Sequence, residues 1–347
     1  MIIHAVLGNP NHPEYGVATI PFPIPHNQYA HCMELLEALE IGDAVKSDCQ
    51  VQEINSFYSV LKRTEKLTVN VEELNYLAKR LDGFDMGEAT QFQAMAHKLE
   101  LFELKDLINL SFCCQQATVI TDFSDLAAVG RDHYMNLHGG CAKTEELNAL
   151  DGEETARRLI ESGSGTITPY GVVYDNGMKL EQAYDRKHLP PIWMAESCIM
   201  ELKLRATGED DPKKQEWVQL PASQIKLERA MLRAGIPSCG EMQMLVTDSR
   251  FPDEVDCTLN VEHGSLFELN RLCHACSGFK EQDFKKLGAV CQMAKPACAA
   301  NIRQLAEKLD QFDFAPNVHT PEELGKYMIQ QSGHYEYDEN LEDFYNY

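Results

Sequence analysis

Two short motifs in this chain have the residue types and spacing that chemistry requires. Cys273-His274-Ala275-Cys276 carries the C-x2-C spacing of a zinc site, with Cys257 and His263 upstream. Thiolates at that spacing reach one tetrahedral ion from a single turn of chain. Both cysteines also fall on the apolar stripe of a helix predicted to begin at Leu266, where buried structural thiols are the commoner outcome. Metal binding by these four residues is left open, and no metal site is assigned. His138-Gly139-Gly140-Cys141 sets a thiol beside an imidazole and a flexible loop, as a nucleophile needs. A Gly-Gly pair is more often an ordinary turn, and that reading is adopted. Gly163-Ser164-Gly165 lacks the lysine of a phosphate-binding loop, and no metalloprotease, hydrolase-elbow or dinucleotide fingerprint occurs. The expectation is a protein that is not an enzyme and uses no cofactor.

Charge is the feature that stands out. The chain holds 54 acids against 31 Lys and Arg, a net charge of −23. Residues 1–197 carry 29 acids and 15 bases, residues 198–347 carry 25 and 16, so the excess runs through both halves. Solubility is the ordinary reason for such a balance. A field of this sign also repels nucleic acid and anionic membranes and attracts basic partners. No basic run exceeds Lys285-Lys286, so no nucleic-acid-binding patch is expected. The first residues lack a basic leader, and no apolar run approaches the length of a membrane span. Twelve cysteines without a leader suggest reduced thiols, and a cytoplasmic location is expected.

Among the elements that hold these residues, one pattern recurs. Glu73-Leu74-Asn75-Tyr76-Leu77 returns as Glu268-Leu269-Asn270-Arg271-Leu272, 195 positions on. The register continues through Gly83-Phe84 and Gly278-Phe279, Leu107 and Ile302, and Gly130-Arg131 and Gly325-Lys326. Apolar spacing that persists while polar positions drift marks two copies of one fold, because packing constrains the core.

The predicted fold class is α+β. It consists of tandem units, each a small α+β domain followed by a helical bundle, in an elongated multi-domain arrangement. Residues 1–68 form the first α+β domain, with prolines 21, 23 and 25 barring that stretch from the middle of a sheet. Residues 69–135 form a helical bundle, opened by Asn70 as an N-cap with Glu72 and Glu73 at the positive end of the helix dipole. Residues 136–197 form an α+β segment with a β-hairpin over 170–180, turned by Asn176-Gly177. A second α+β domain covers 198–264. The second bundle, 265–347, ends in an acidic, Tyr-rich tail whose interleaved aromatics favour a docked helix or strand.

Four stretches carry a family resemblance. Thr19-Ile20-Pro21-Phe22-Pro23-Ile24, Ser265 through Leu272, and Leu324-Gly325-Lys326-Tyr327-Met328-Ile329 through Leu341-Glu342-Asp343-Phe344-Tyr345-Asn346-Tyr347 are three of them. The fourth runs from Val119-Ile120-Thr121-Asp122-Phe123 to Pro169-Tyr170-Gly171-Val172-Val173-Tyr174. Together they resemble the ArdA antirestriction family, as a long form with two related units. The resemblance implies a DNA mimic whose carboxylates occupy the DNA-binding groove of a Type I restriction–modification enzyme. On this reading Glu72, Glu73, Asp82, Asp85 and Glu88 stand in for phosphates in the first copy. Glu322, Glu323, Glu336, Asp338, Glu339, Glu342 and Asp343 do so in the second. The partner is the DNA-binding subunit of that enzyme, with no nucleic acid or membrane partner, and a homodimer is left open. The alternative is a protein–protein interaction module of a mobile genetic element whose acidity is incidental, with the apolar stretch 170–182 as its contact.

Overall fold

The computed structural model describes residues 2–340 except 194, 196, 212, 213, 260, 262, 263, 316, 317 and 319. It is a mixed α+β protein with small antiparallel sheets. The chain divides into two compact units. Unit 1 holds Met1–Trp193, Leu204–Trp217 and Ser223–Met242; unit 2 holds Met194–Lys203, Val218–Ala222 and Gln243–Tyr347.

Unit 1 begins with β1 (Ile3–Gly8) and β2 (Val17–Phe22), followed by α1 (Tyr29–Glu37), β3 (Cys49–Ser56) and β4 (Thr68–Val69). Alternation writes β1: Ile3, Ala5 and Leu7 are fully buried, while His4 between them faces solvent. The sheet order is β2-β1-β3-β4, with Ile3 opposite Phe22 and Leu7 opposite Ala18. Pro21 lies in β2, which is an edge strand, where a missing N–H disturbs no ladder. The Phe22–Pro23 bond is cis.

Three helices follow: α2 (Val71–Asp82), α3 (Met86–Lys98) and α4 (Leu104–Leu110). Asn70 caps α2 through its side chain, which accepts the Glu72 N–H at 2.9 Å and the Glu73 N–H at 3.2 Å. Asp85 and Glu88 close a capping box on α3. The apolar stripe Leu74, Leu77, Ala78, Leu81 packs into one core with the first sheet, α1, α3 and α4, and with Val173 and Tyr184. The expected boundary at residue 68 is therefore not a boundary between cores. One core spans what were read as three segments.

The rest of unit 1 includes β5 (Thr118–Ile120), α5 (Leu126–Leu137), α6 (Thr144–Ala149), α7 (Gly152–Glu161), β6 (Thr166–Thr168) and β7 (Gly171–Tyr174). Helices α5 and α7 cross at a pair of glycines. A Cβ on Gly130 would stand 1.8 Å from the Gly152 carbonyl oxygen, so backbone meets backbone there. The small sheet runs β5-β7-β6, and this corrects the predicted hairpin. Asn176 and Gly177 do turn the chain, both with positive φ. The residues after them form no strand, because β5 and β6 already occupy both edges of β7. The hairpin is β6–β7, turned at Pro169-Tyr170.

Beyond residue 193 come β8 (Met200–Ala206), β9 (Glu216–Leu220), α8 (Gln224–Arg233) and β10 (Met242–Ser249). The helices α9 (Asp253–Leu259), α10 (Leu266–Ala275), α11 (Glu281–Ala294), α12 (Ala299–Ala306) and α13 (Pro321–Gln330) complete the chain. A three-stranded sheet has the order β10-β8-β9. Ser223 caps α8, which belongs to unit 1 although the sequence placed it in a second α+β domain. In unit 2, Leu266, Leu269, Leu272, Leu287 and Ile302 are buried. Phe284 sits edge-on to Phe251 and to Phe279, each at 5.7 Å. The described part of the tail, residues 332–340, contains no α-helix or strand.

The two E-L-N segments make the same kind of contact, each within its own unit. Asn75 in α2 accepts the Ile24 N–H at 2.8 Å. Asn270 in α10 accepts the Ala222 N–H and donates to the Ala222 carbonyl, both at 2.8 Å. In each case the contacted residue follows a cis proline, Pro23 or Pro221.

Candidate functional site

The acids proposed to meet a partner separate into two groups. Glu72 and Glu73 belong inside unit 1. Glu72 Oε1 accepts from Arg229 Nε at 2.6 Å and from the Tyr29 hydroxyl, and both members of the ion pair are 13 % exposed. Arg229 also donates to the Gly42 carbonyl at 2.7 Å. One turn on, Arg233 donates to Glu216 at 3.0 Å and to the Ala44 carbonyl at 3.1 Å. Glu73 is buried and accepts from the Tyr184 hydroxyl at 2.8 Å. The two neighbours point in different directions from α2, since adjacent helical positions stand about 100° apart.

Electrostatics follows from the partners. Burial pushes the Glu72 carboxyl up, but the Arg229 charge and the hydrogen bonds from Tyr29 and Arg229 outweigh it and hold it below the ordinary value. Burial also pushes Glu73 up, and there it prevails over the Tyr184 hydrogen bond and the charge of Arg186 and Arg233. Desolvation lowers Arg229 and Arg233, yet Glu72 beside the first and Glu216 beside the second raise both on balance. This is a buried ionic network that fastens α8 to α2 and to the 42–44 loop. Glu72 and Glu73 are thereby withdrawn from the phosphate-mimicking set, because their oxygens are committed within the fold.

Glu88 is withdrawn for a similar reason. It is half-buried, accepting from the Asp85 N–H and from Gln115 Nε2, each at 3.1 Å. Asp82 and Asp85 are exposed, Asp85 also accepting the Glu88 N–H at 2.8 Å. In unit 2, Glu322 and Glu323 stand exposed in the first turn of α13, where the helix dipole favours acids. Glu323 closes a capping box with Thr320. Glu336, Asp338 and Glu339 are exposed as well. Between residues 320 and 340 the only Lys or Arg is Lys326. Glu342 and Asp343 lie outside the described residues.

The thiol motifs divide between surface and interior, with Cys141 and Cys257 exposed. Gly139 and Gly140 adopt positive φ in the turn that ends α5, and His138 Nδ1 meets the Tyr134 carbonyl at 2.7 Å. Cys273 and Cys276 are buried, and burial pushes the Cys276 thiol up to about 12 and Cys273 higher still. Among the described residues no three His, Cys, Asp or Glu side chains gather as a metal site; His263 is not one of those residues. The stretch 170–182 is also engaged in the fold: Val173 and Tyr174 are buried, and Tyr170, Met178 and Leu180 pack on the unit 1 core. Among the described residues, no helix is long and apolar enough to cross a membrane.

Sequence reasoning missed Arg229, Arg233, Tyr29, Tyr184 and Glu216. A signal existed. Lys226, Arg229 and Arg233 recur at helical spacing on α8 in a strongly acidic chain, a basic stripe that points to acids nearby. Comparison with known protein families and with curated proteins finds no match for this chain.

Proposed function

We propose that this chain is an antirestriction protein of the ArdA kind, a DNA mimic that enters the DNA-binding groove of a Type I restriction–modification enzyme. The observation that carries the reading is the exposed acid set of unit 2: Glu322, Glu323, Glu336, Asp338 and Glu339, with Lys326 the single Lys or Arg across that stretch. Duplex DNA carries one charge per roughly 1.7 Å of axis, and a groove built for it is lined with Lys and Arg that such acids can engage. Asp82 and Asp85 are the acids that remain available in unit 1.

The tandem reading belongs to the same proposal. Helices α2, α3, α4 and α5 begin at 71, 86, 104 and 126; α10, α11, α12 and α13 begin at 266, 281, 299 and 321. Each pair is separated by 195, the spacing of the sequence repeat. The matching Asn75 and Asn270 contacts support descent from one ancestral fold.

The test is inhibition of a Type I enzyme's DNA cleavage by the full chain, measured at two salt concentrations. Contact between exposed charges is screened over about 10 Å at 0.1 M salt, so inhibition weakens steeply as salt rises. Absence of inhibition at low salt, or inhibition indifferent to salt, removes the proposal.

A further inference from the structure

The ionic network ends in a corner of unit 1 where three buried atoms have no hydrogen-bond partner among the described residues. They are Arg233 Nη2, Glu216 Oε2 and His188 Nδ1. Each comes from a different stretch of chain. Arg233 closes α8, Glu216 opens β9, and His188 lies in the irregular segment between β7 and β8. The Arg233 and Glu216 side chains are only 6 % and 9 % exposed, and His188 is largely covered too. A polar atom at that depth bears the full penalty of desolvation when it stays unpaired, so three in one corner call for a common partner.

Distances set the three around one gap. Glu216 accepts from Arg233 Nε through Oε1 at 3.0 Å, and its Oε2 stands 3.9 Å from His188 Nδ1. That separation is too long for a hydrogen bond and short enough for a single atom to bond both ends. An oxygen about 2.8 Å from each forms the apex of a triangle on that base. Arg233 turns its free nitrogen to the same side. Its Nη1 donates to the Ala44 carbonyl at 3.1 Å, and Nη2 shares with Nε the guanidinium edge that already meets Glu216.

The chemistry of these atoms selects what fits between them. A guanidinium only donates, a carboxylate only accepts, and an imidazole nitrogen does either. An anion would confront Oε2, and a cation would confront Nη2. Water meets all three demands. It accepts from Nη2, donates to Oε2 and pairs with Nδ1 in either tautomer, the three bonds usual for a buried water.

We propose that this corner is a structural water site, and that its water ties the segment around His188 to β9 and α8. Upstream the same segment is fixed by Tyr184, whose hydroxyl donates to Glu73; the water supplies a second anchor. The site depends on the fold of unit 1 alone and stands apart from the antirestriction reading.

The experiment counts waters held by the full chain in solution, by oxygen-17 magnetic relaxation dispersion. Wild type is expected to hold one more slowly exchanging water than His188→Phe, whose ring offers no polar atom. His188→Asn, which keeps a polar atom near the position of Nδ1, is expected to retain it. Equal counts for wild type and His188→Phe overturn the proposal, as does loss of the water in both variants alike. A wild-type crystal structure that resolves ordered solvent needs no variant. One oxygen within about 3.2 Å of all three atoms supports the site. Direct closure of Nδ1 on Oε2 overturns it, and so does a peak that scatters anomalously once chloride is replaced by bromide.

Discussion

Arg229 and Glu72 meet at 2.6 Å across 157 positions of sequence, and both are largely withdrawn from water. A bridge in that setting depends on both members, because desolvation has already been incurred. Removing one strands the other. Arg229→Ala is expected to destabilise unit 1 by about 3–5 kcal/mol, read from chemical denaturation. The paired change Glu72→Met with Arg229→Met, which leaves no stranded charge, is expected to cost much less. Equal losses in the single and double variants would show that the bridge does not act as a pair.

The neighbouring carboxylates respond to pH in opposite directions. Glu73 binds its proton more tightly folded than unfolded, since its folded value lies above 4.5. Its contribution is complete below pH 4.5 and is lost as pH rises through the folded value. Glu73→Gln, which keeps an acceptor for the Tyr184 hydroxyl, is therefore expected to raise stability near neutral pH and change little in acid. Glu72 lies below 4.5, so its contribution is present above that value and fades as acid protonates it. Denaturation of wild type and Glu73→Gln across the acid and neutral range checks the sign.

Lys79 adds a second, alkaline window. Its value falls from 10.5 unfolded to about 8 folded, so folding releases a proton between those limits and stability rises with pH across them. Lys79→Met is expected to stabilise the protein at neutral pH by an amount on the order of 2 kcal/mol, an advantage that shrinks above pH 8 and vanishes near 10.5. A constant difference across the alkaline range would contradict the assignment.

Asn75 and Asn270 test the two parallel contacts. Asn75→Ala leaves the buried Ile24 N–H without its acceptor, an expected loss of about 1–3 kcal/mol. Asn270→Ala leaves the Ala222 N–H without its acceptor and the Ala222 carbonyl with His274 Nε2 alone at 3.2 Å; with two hydrogen bonds lost instead of one, it is expected to cost more. Urea titrations of the two variants rank them directly.

The exposed acids make the functional test. Glu336→Lys, Asp338→Lys and Glu339→Lys together are expected to weaken inhibition of a Type I enzyme while leaving the thermal midpoint near wild type, since all three side chains face solvent. Unchanged inhibition would take these residues out of the proposal.

Much of the fold was legible because local signals agreed with packing. Asn70 as a cap, the alternation of β1 and the stripe of α2 are each a single physical rule acting within a few residues. Prolines consigned β2 to an edge for the same reason. The Asn176-Gly177 turn misled because turn chemistry says that a chain reverses, not that a partner strand has a free edge to pair with. The site was less legible. Glu72 and Glu73 look like surface acids in a helix's first turn, and only the arrival of α8 buries Glu72 against Arg229, while Tyr184 covers Glu73. Such long-range pairings leave little trace in a window of a dozen residues. The stripe Lys226, Arg229 and Arg233 was the one trace available.

The assignment of Ser223–Met242 to unit 1 matters for biosynthesis. A ribosome that has delivered Trp193 has not yet delivered Arg229 or Arg233, and at about 5–20 residues per second the wait is a few seconds. During that interval Glu72 is a nascent-chain carboxylate still awaiting its counterion, and the flank of α2 is open. Emergence of residues 223–242 from the ribosome, more than the first half's own sequence, sets the moment at which that flank closes.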